Sequence, residues 1–144
     1  MGKINWTRVL IGGLIAGVVG NLLGFAGWGL FTRPSLSVAL EALGRPLQET
    51  VGGTVLAVVL GFLVMILAIW LYAAIRPRCG AGPRTALMAG VAAGLLFAVF
   101  PDIGWGLTLR FLPARVWLTD AVVSLVVIVV ATLLGAYFYK EQAA

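Results

Sequence analysis

The stretch Gly27-Trp28-Gly29-Leu30-Phe31-Thr32-Arg33 closes the first long apolar segment of the chain, and it recurs as Gly104-Trp105-Gly106-Leu107-Thr108-Leu109-Arg110. The two copies lie 77 positions apart (104 − 27) and share Gly, Trp, Gly, Leu and the closing Arg. Matches of glycine and leucine are common by chance in an apolar chain, but this chain has only 5 tryptophans. The recurrence of this motif therefore predicts a tandem repeat of two membrane hairpins.

Composition indicates a membrane protein. Of the 144 residues, 62% are hydrophobic and 10% are charged, whereas a soluble domain is about half apolar and a quarter charged. The length allows one domain, residues 1–144, so we predict an all-α integral membrane protein. Basic flanks of membrane helices explain the net charge of +5, and we expect the lipid bilayer, not nucleic acid, as its partner.

The residue types argue against an enzyme. The chain has no histidine, which removes the commonest ligand of transition metals and the usual general base. Its one cysteine, Cys79, follows the basic residue Arg78, which favours the thiolate, but it has no catalytic partner. We therefore expect no catalytic residue, no metal and no cofactor.

Four apolar segments are long enough to cross about 30 Å of hydrocarbon. The first is too long for a cleaved signal peptide, and it ends in the repeated motif. The predicted spans are residues 9–31, 51–75, 85–109 and a fourth that follows the connection 110–116 and ends near Tyr139.

Two local features modify this plan. In the first outer connection, residues 34–43 predict a short amphipathic helix in the interface, because Leu36, Leu40 and Leu43 fall on one helical face. In the third span, the pair Pro101-Asp102 is expected to interrupt the helix.

The distribution of basic residues predicts the orientation. Residues 76–84 form a tight Arg-rich loop between the two halves, which are about 1–75 and 85–144. With four spans, this loop and both termini share one side, so we expect both termini in the cytoplasm. That side has six basic residues (Lys3, Arg8, Arg76, Arg78, Arg84 and Lys140), and the other has four (Arg33, Arg45, Arg110 and Arg115).

The repeat has two offsets. The first arms align at 77, and the second arms align at 67, where Pro46 meets Pro113 and Tyr72 meets Tyr139. The difference of ten residues equals the length of the segment 34–43, which we interpret as an inserted interfacial helix. A repeat of two-span units keeps its orientation, which predicts a pseudo-two-fold axis along the membrane normal.

Glycines form a stripe along the first span, and the third span repeats it in part. Small residues let membrane helices approach closely, so we expect spans one and three to cross through these faces, with spans two and four outside them. The alternative is a groove for a cofactor. The stripe consists of Gly13, Gly17, Gly20, Gly24 and Gly27, and its counterpart of Gly90 and Gly94.

Two acids are the main candidates for a site. Asp102 and Asp120 would each lie about 10 Å inside the outer leaflet, where an acid is costly unless it is paired or hydrated. The candidate polar site comprises Asp102, Arg110, Arg115, Asp120, Trp28 and Trp105. The alternatives are a structural ion pair for the acids, also with Arg33, and an outer aromatic belt for the tryptophans.

Two further polar residues have structural interpretations. Glu49 opens the second span, where the helix dipole stabilises an acid. Asn21 lies near the middle of the first span and can form an interhelical hydrogen bond.

Several stretches resemble a family of small, four-span bacterial inner-membrane proteins of no known activity. The resemblance is carried by residues 6–17 (WTRVLIGGLIAG), 69–78 (IWLYAAIRPR), 82–86 (GPRTA) and 134–137 (LGAY). It implies a bacterial plasma membrane and no particular substrate or site residue.

These observations favour a non-enzymatic membrane protein that acts as an accessory or assembly subunit, or as a lipid-contacting scaffold, of a membrane complex. Its expected partners are lipids and either further copies of itself or other membrane subunits. The alternative is a small oligomeric transporter or channel, with Asp102 and Asp120 in an outward-facing vestibule.

Overall fold

The structure is a computed structural model that describes residues 4–140, so Lys3 of the charge comparison lies outside it. Within that range every regular element is helical, and four helices are long and apolar enough to cross a membrane. The predicted all-helical, multi-pass architecture is confirmed at this level. The four spans are Trp6–Glu41, Val51–Cys79, Pro83–Thr108 and Ala114–Tyr137.

The first and third spans each contain one widened π turn. The first comprises α1 (Trp6–Gly27), π1 (Trp28–Thr32) and α2 (Arg33–Glu41). The third comprises α4 (Pro83–Gly94), π2 (Leu95–Val99) and α5 (Phe100–Thr108). The second and fourth are single α-helices, α3 (Val51–Cys79) and α6 (Ala114–Tyr137).

The π turns explain why two prolines leave the helices unbroken. A helical proline lacks an N–H and its ring clashes with the carbonyl four residues earlier, which a locally wider turn relieves. Pro34 and Pro101 each follow the end of a π turn by two residues. The predicted interruption at Pro101-Asp102 is therefore wrong, because π2 absorbs the proline and the helix continues to Thr108.

The segment predicted as a separate amphipathic helix is helical but continues the first span. After π1 it runs as α2 and ends in a turn at Gly44, whose φ of 68° suits a residue without a side chain. Its buried residue Ala39 packs on Leu112 and Val116 near the start of α6. α2 thus packs against the start of the fourth span.

Two tyrosines link the four spans at the end of the bundle where the first span begins. The Tyr72 and Tyr139 rings meet edge to face, with centroids 5.8 Å apart. The Tyr139 hydroxyl accepts a hydrogen bond from the backbone N–H of Asn5 at 3.3 Å, and the Tyr72 hydroxyl accepts one from Gly82 at 3.4 Å. The cation of Arg76 lies against both rings. All four spans therefore converge at this end, called the inner end below.

The order of helices in the bundle differs from the predicted one. α1 packs against α3 and α6, α4 packs against the same two helices, and α3 also touches α6 across the bundle. The expected crossing of spans one and three is wrong, because the close-packed glycines of each span face the second or the fourth span instead. α6 contacts all three of the other spans. Only the face of α6 that points away from the bundle, with Val122 and Val126, can therefore face lipid.

The inner half of the bundle is closely packed through glycine. A Cβ atom placed on Gly135 would lie 2.6 Å from the carbonyl oxygen of Gly12, and one on Gly12 would lie 2.8 Å from that of Gly135. Side chains at these points would push the α1 and α6 backbones apart. Ala16, Ala68 and Ile69 fill the adjacent core and are fully buried.

We predict that Gly135→Ala destabilises the protein by about 1–3 kcal/mol, because one methyl group meets a backbone oxygen that cannot rotate away. The matched control is Gly104→Ala. Gly104 is also helical, but its added Cβ meets no atom within 4 Å, so this variant should be neutral or slightly more stable. Unfolding in mixed SDS micelles, followed by far-UV circular dichroism, compares the two. Equal stability would contradict the role of this contact.

Candidate functional site

A cavity of about 710 Å³ lies between the four spans in the outer half of the bundle. Its walls are mostly apolar and include small residues from the first two spans. Its polar residues come from all four spans, so no single helix builds it. The polar residues among those that line it are Asn21, Trp28, Gln48, Glu49, Thr50, Thr54, Asp102, Asp120 and Ser124.

Two acidic side chains meet at the wall formed by the third and fourth spans. Asp102 lies in the first turn of α5, and Asp120 lies in the second turn of α6. Both side chains line the cavity, and the Asp120 carboxyl lies near enough to that of Asp102 to interact with it electrostatically. Oδ2 of Asp102 is buried and has no hydrogen-bond partner among the described residues.

The predicted arginine partners do not reach this pair. Arg110 and Arg115 are exposed and do not line the cavity. Among residues 4–140, neither Asp102 nor Asp120 forms a salt bridge with a basic side chain. Two neighbouring carboxylates repel each other unless a proton or a cation lies between them. The site therefore has a local surplus of negative charge.

The rim of the cavity carries a cation, an acid and an indole ring. Arg33 pairs with Glu49, with 2.8 Å between Nε and Oε1. The guanidinium carbon of Arg33 also lies 5.8 Å from the centre of the Trp28 ring. Glu49 lines the cavity, a role that its position before the second span did not indicate. It lies just before Thr50, whose side chain caps α3.

Asn21 closes part of the floor. Its Nδ2 donates hydrogen bonds to the carbonyl oxygens of Gly17 at 2.9 Å and Val58 at 3.4 Å. The second bond crosses from α1 to α3, which agrees with the interhelical role expected of this residue. Beneath it, the buried side chains of Met65 and Ile128 separate the cavity from the glycine-packed inner half.

The cavity also opens sideways, between the second and third spans. The part of α3 before Gly61 is exposed almost throughout, including the cavity-lining residues Gly53, Thr54 and Ala57. α3 packs on α4, but in the described part of the chain it has no substantial packing with π2 or α5. We call this gap, bordered by α3 and α5, the lateral opening. It lies in the half of the bundle away from the inner end.

The predicted packing glycines have two different roles. Gly13 faces Ile66 and Gly17 faces Phe62 of α3, so both allow close approach within the first hairpin. Gly90 and Gly94 do the same for α6, where they face Val129 and Leu125.

The remaining glycines of the stripe lie nearer the outer end. Gly20 and Gly24 line the cavity, and a Cβ atom on Gly24 would meet nothing within 4 Å. Gly27 instead approaches Val123 of α6, 2.6 Å from the position of its added Cβ. Gly24 is thus the glycine of this stripe that faces open space, and the other four approach neighbouring helices.

The two Gly-Trp-Gly copies are not equivalent in position. Trp28 lines the cavity, whereas Trp105 does not and is 54% exposed. An added Cβ on Gly27 would meet Val123 of α6, whereas one on its counterpart Gly104 would meet no atom within 4 Å; conversely, Gly106 approaches Trp117 and its counterpart Gly29 approaches nothing. Of the predicted polar site, the structure therefore brings together Asp102, Asp120 and Trp28 around one cavity.

Comparisons with protein-family models, with curated proteins and with solved structures find no match for this chain. The family resemblance of the four sequence stretches therefore stays a prediction.

Proposed function

We propose that the protein is a non-enzymatic membrane protein that holds a lipid molecule in its outer cavity. It would act as a lipid-contacting scaffold or as an accessory subunit beside further copies or other membrane proteins. The observation that carries the proposal is the lateral opening between α3 and α5, through which the cavity faces the outer leaflet. A lipid can enter by this route without leaving the bilayer.

The shape and chemistry of the cavity suit an amphiphile. A volume of about 710 Å³ lies in the range of ordinary small-molecule sites, about 300–1,000 Å³. It suits a headgroup and the upper part of an acyl chain, with the rest of the chain passing through the lateral opening. Apolar walls would contact the chain, and Asp102, Asp120 and Glu49 would face the headgroup.

We predict that Gly24→Leu reduces the amount of lipid that stays bound by about tenfold, because the new side chain projects into the cavity. The matched control is Gly104→Leu, since both positions are helical glycines with free space around the added Cβ, and only Gly24 lines the cavity. Native mass spectrometry of protein extracted in mild detergent measures the retained lipid.

The result that would sink the proposal is wild-type protein that emerges free of lipid from every mild detergent. Equal lipid retention by the Gly24→Leu and Gly104→Leu variants would also contradict it, because bound lipid would then lie elsewhere on the surface.

A small oligomeric transporter is the second candidate, and one observation favours it. The cavity reaches from the outer rim to Met65, while the inner half is closed by the Gly12–Gly135 contact. This is the arrangement of a carrier open to one side, in which Asp102 and Asp120 would bind a cation.

For this second candidate we predict ethidium uptake into proteoliposomes that depends on the acidic pair. Combined Asp102→Asn and Asp120→Asn substitutions should abolish the uptake, because the negative charge that attracts the cation is removed. Glu41→Gln is the control, since Glu41 is exposed and does not line the cavity. Uptake that survives in the doubly substituted protein would exclude a vestibule of this kind.

We place the protein in a bacterial inner membrane with both termini in the cytoplasm, on the basis of the basic loop between spans two and three. The exposed thiol of Cys79 lies at this loop, which makes it a natural marker of orientation. A membrane-impermeant maleimide should label Cys79 in inverted vesicles and leave it unlabelled in intact spheroplasts. Labelling in intact spheroplasts would reverse the orientation.

We also infer that the two hairpins are a tandem repeat, at an offset of 67 residues. Pro34 and Pro101 are 67 positions apart and follow π1 and π2 by the same interval, which supports the inference. Tyr72 and Tyr139 are separated by the same 67 positions and touch, as equivalent residues near a pseudo-two-fold axis would. This single offset replaces the offset of 77 predicted for the first arms, and it puts the ten extra residues at the start of the first span instead of at residues 34–43.

We also propose that α2 lies at the membrane interface. The first span has 36 residues, which corresponds to about 54 Å of helix, well beyond about 30 Å of hydrocarbon. The surplus length supports a position of α2 at the outer interface, where its charged ends, Arg33 and Glu41, can reach water.

A further inference from the structure

We propose that the cavity selects lipids whose headgroup carries a primary ammonium group, which binds between Asp102 and Asp120. The inference rests on the proposed lipid-binding function and adds the chemistry of the ligand. It combines the cavity, the lateral opening and the unneutralised acidic pair in one site.

The negative charge of the cavity favours a cationic headgroup. The cavity is lined by Asp102, Asp120 and Glu49, and no lysine or arginine is among the residues that line it. Only Glu49 has a cationic partner within the described part of the chain, namely Arg33. A ligand that brings a positive charge to the other two acids would remove their mutual repulsion, whereas an anionic headgroup would add to it.

Hydrogen bonding favours a headgroup cation that has N–H groups. Oδ2 of Asp102 is buried and accepts no hydrogen bond from the protein at the described residues. A buried acceptor without a donor is costly, and an ammonium group supplies three donors. A quaternary headgroup has the same charge but no N–H, and it is recognised by aromatic cages. Here the one tryptophan at the cavity, Trp28, already stacks with Arg33.

The lateral opening explains how such a headgroup reaches the acids. Asp102 lies six residues before the end of α5 at Thr108, or about 9 Å along the helix axis. A headgroup that enters between α3 and α5 reaches the cavity wall that Asp102 and Asp120 line. Arg33, at the rim, is the basic group available to the phosphate of a zwitterionic lipid.

The test measures headgroup preference in the intact protein. Nanodiscs are prepared with equal amounts of phosphatidylethanolamine, phosphatidylcholine and phosphatidylglycerol with identical acyl chains, and native mass spectrometry identifies the lipids that remain bound. We expect phosphatidylethanolamine to be retained about tenfold over the other two, since a hydrogen bond to a charged group has about this effect.

Variants separate the acidic pair from the cavity itself. Combined Asp102→Asn and Asp120→Asn substitutions should leave lipid bound but remove the preference. Glu41→Gln, which neutralises an exposed acid away from the cavity, should keep it. Should the double variant fail to fold, the wild-type comparison of ethanolamine with choline decides alone, because these headgroups differ only in the substituents on nitrogen.

The outcomes distinguish the two proposals. Wild-type protein that retains lipid without preferring the ethanolamine headgroup overturns the headgroup inference and leaves lipid binding intact. Protein that retains no lipid of any class overturns both. A preference that persists after both acids are neutralised also overturns the headgroup inference, because another group must then recognise the amine.

Discussion

The approach of Gly12 to Gly135 is the contact on which the rest of the bundle depends. Lipid provides no hydrophobic drive for helices to associate, so membrane helices rely on close van der Waals contact and interhelical hydrogen bonds. At this point the α1 and α6 backbones come so near that even a methyl group on either glycine would collide with a carbonyl oxygen. The contact fixes the fourth span against the first, and α3 and α4 then pack around that pair.

Tight inner packing and an open outer half are complementary. The tyrosine pair and the glycine contacts hold the inner ends together, so the helices can separate toward the other end without loss of the bundle. The outer turns of α3 are exposed and border the cavity. Apolar packing in the inner half is what makes an acidic, incompletely packed outer half tolerable.

Sequence was sufficient for much of the fold. Hydropathy and length predicted four spans, and their observed ends agree to within four residues except that the first span continues ten residues further, to Glu41. The repeat was harder to predict. Matching Trp28 to Trp105 assumes that identical residues in the two copies occupy equivalent positions along the bundle. Packing decides the surroundings of each residue, and Trp28 lines the cavity whereas Trp105 does not.

The site was less accessible to sequence reasoning. The cost of burying an acid singled out Asp102 and Asp120, which do lie together. The arginines were close to them only in sequence, and chain distance does not determine which way a side chain at a helix end turns. The part that Glu49 plays depends on where α3 separates from the bundle, which no local pattern encodes.

The π2 turn has a geometric consequence for the acidic pair. Asp102 follows Gly94 by eight residues, which in an unbroken α-helix would rotate it about 80° away from the face that Gly94 presents to α6. A π turn accommodates one extra residue, which reduces the rotation to about 20° in the opposite sense. The widened turn thus acts as an angular correction: it returns Asp102 to the α6 side of the helix, where Asp120 lies.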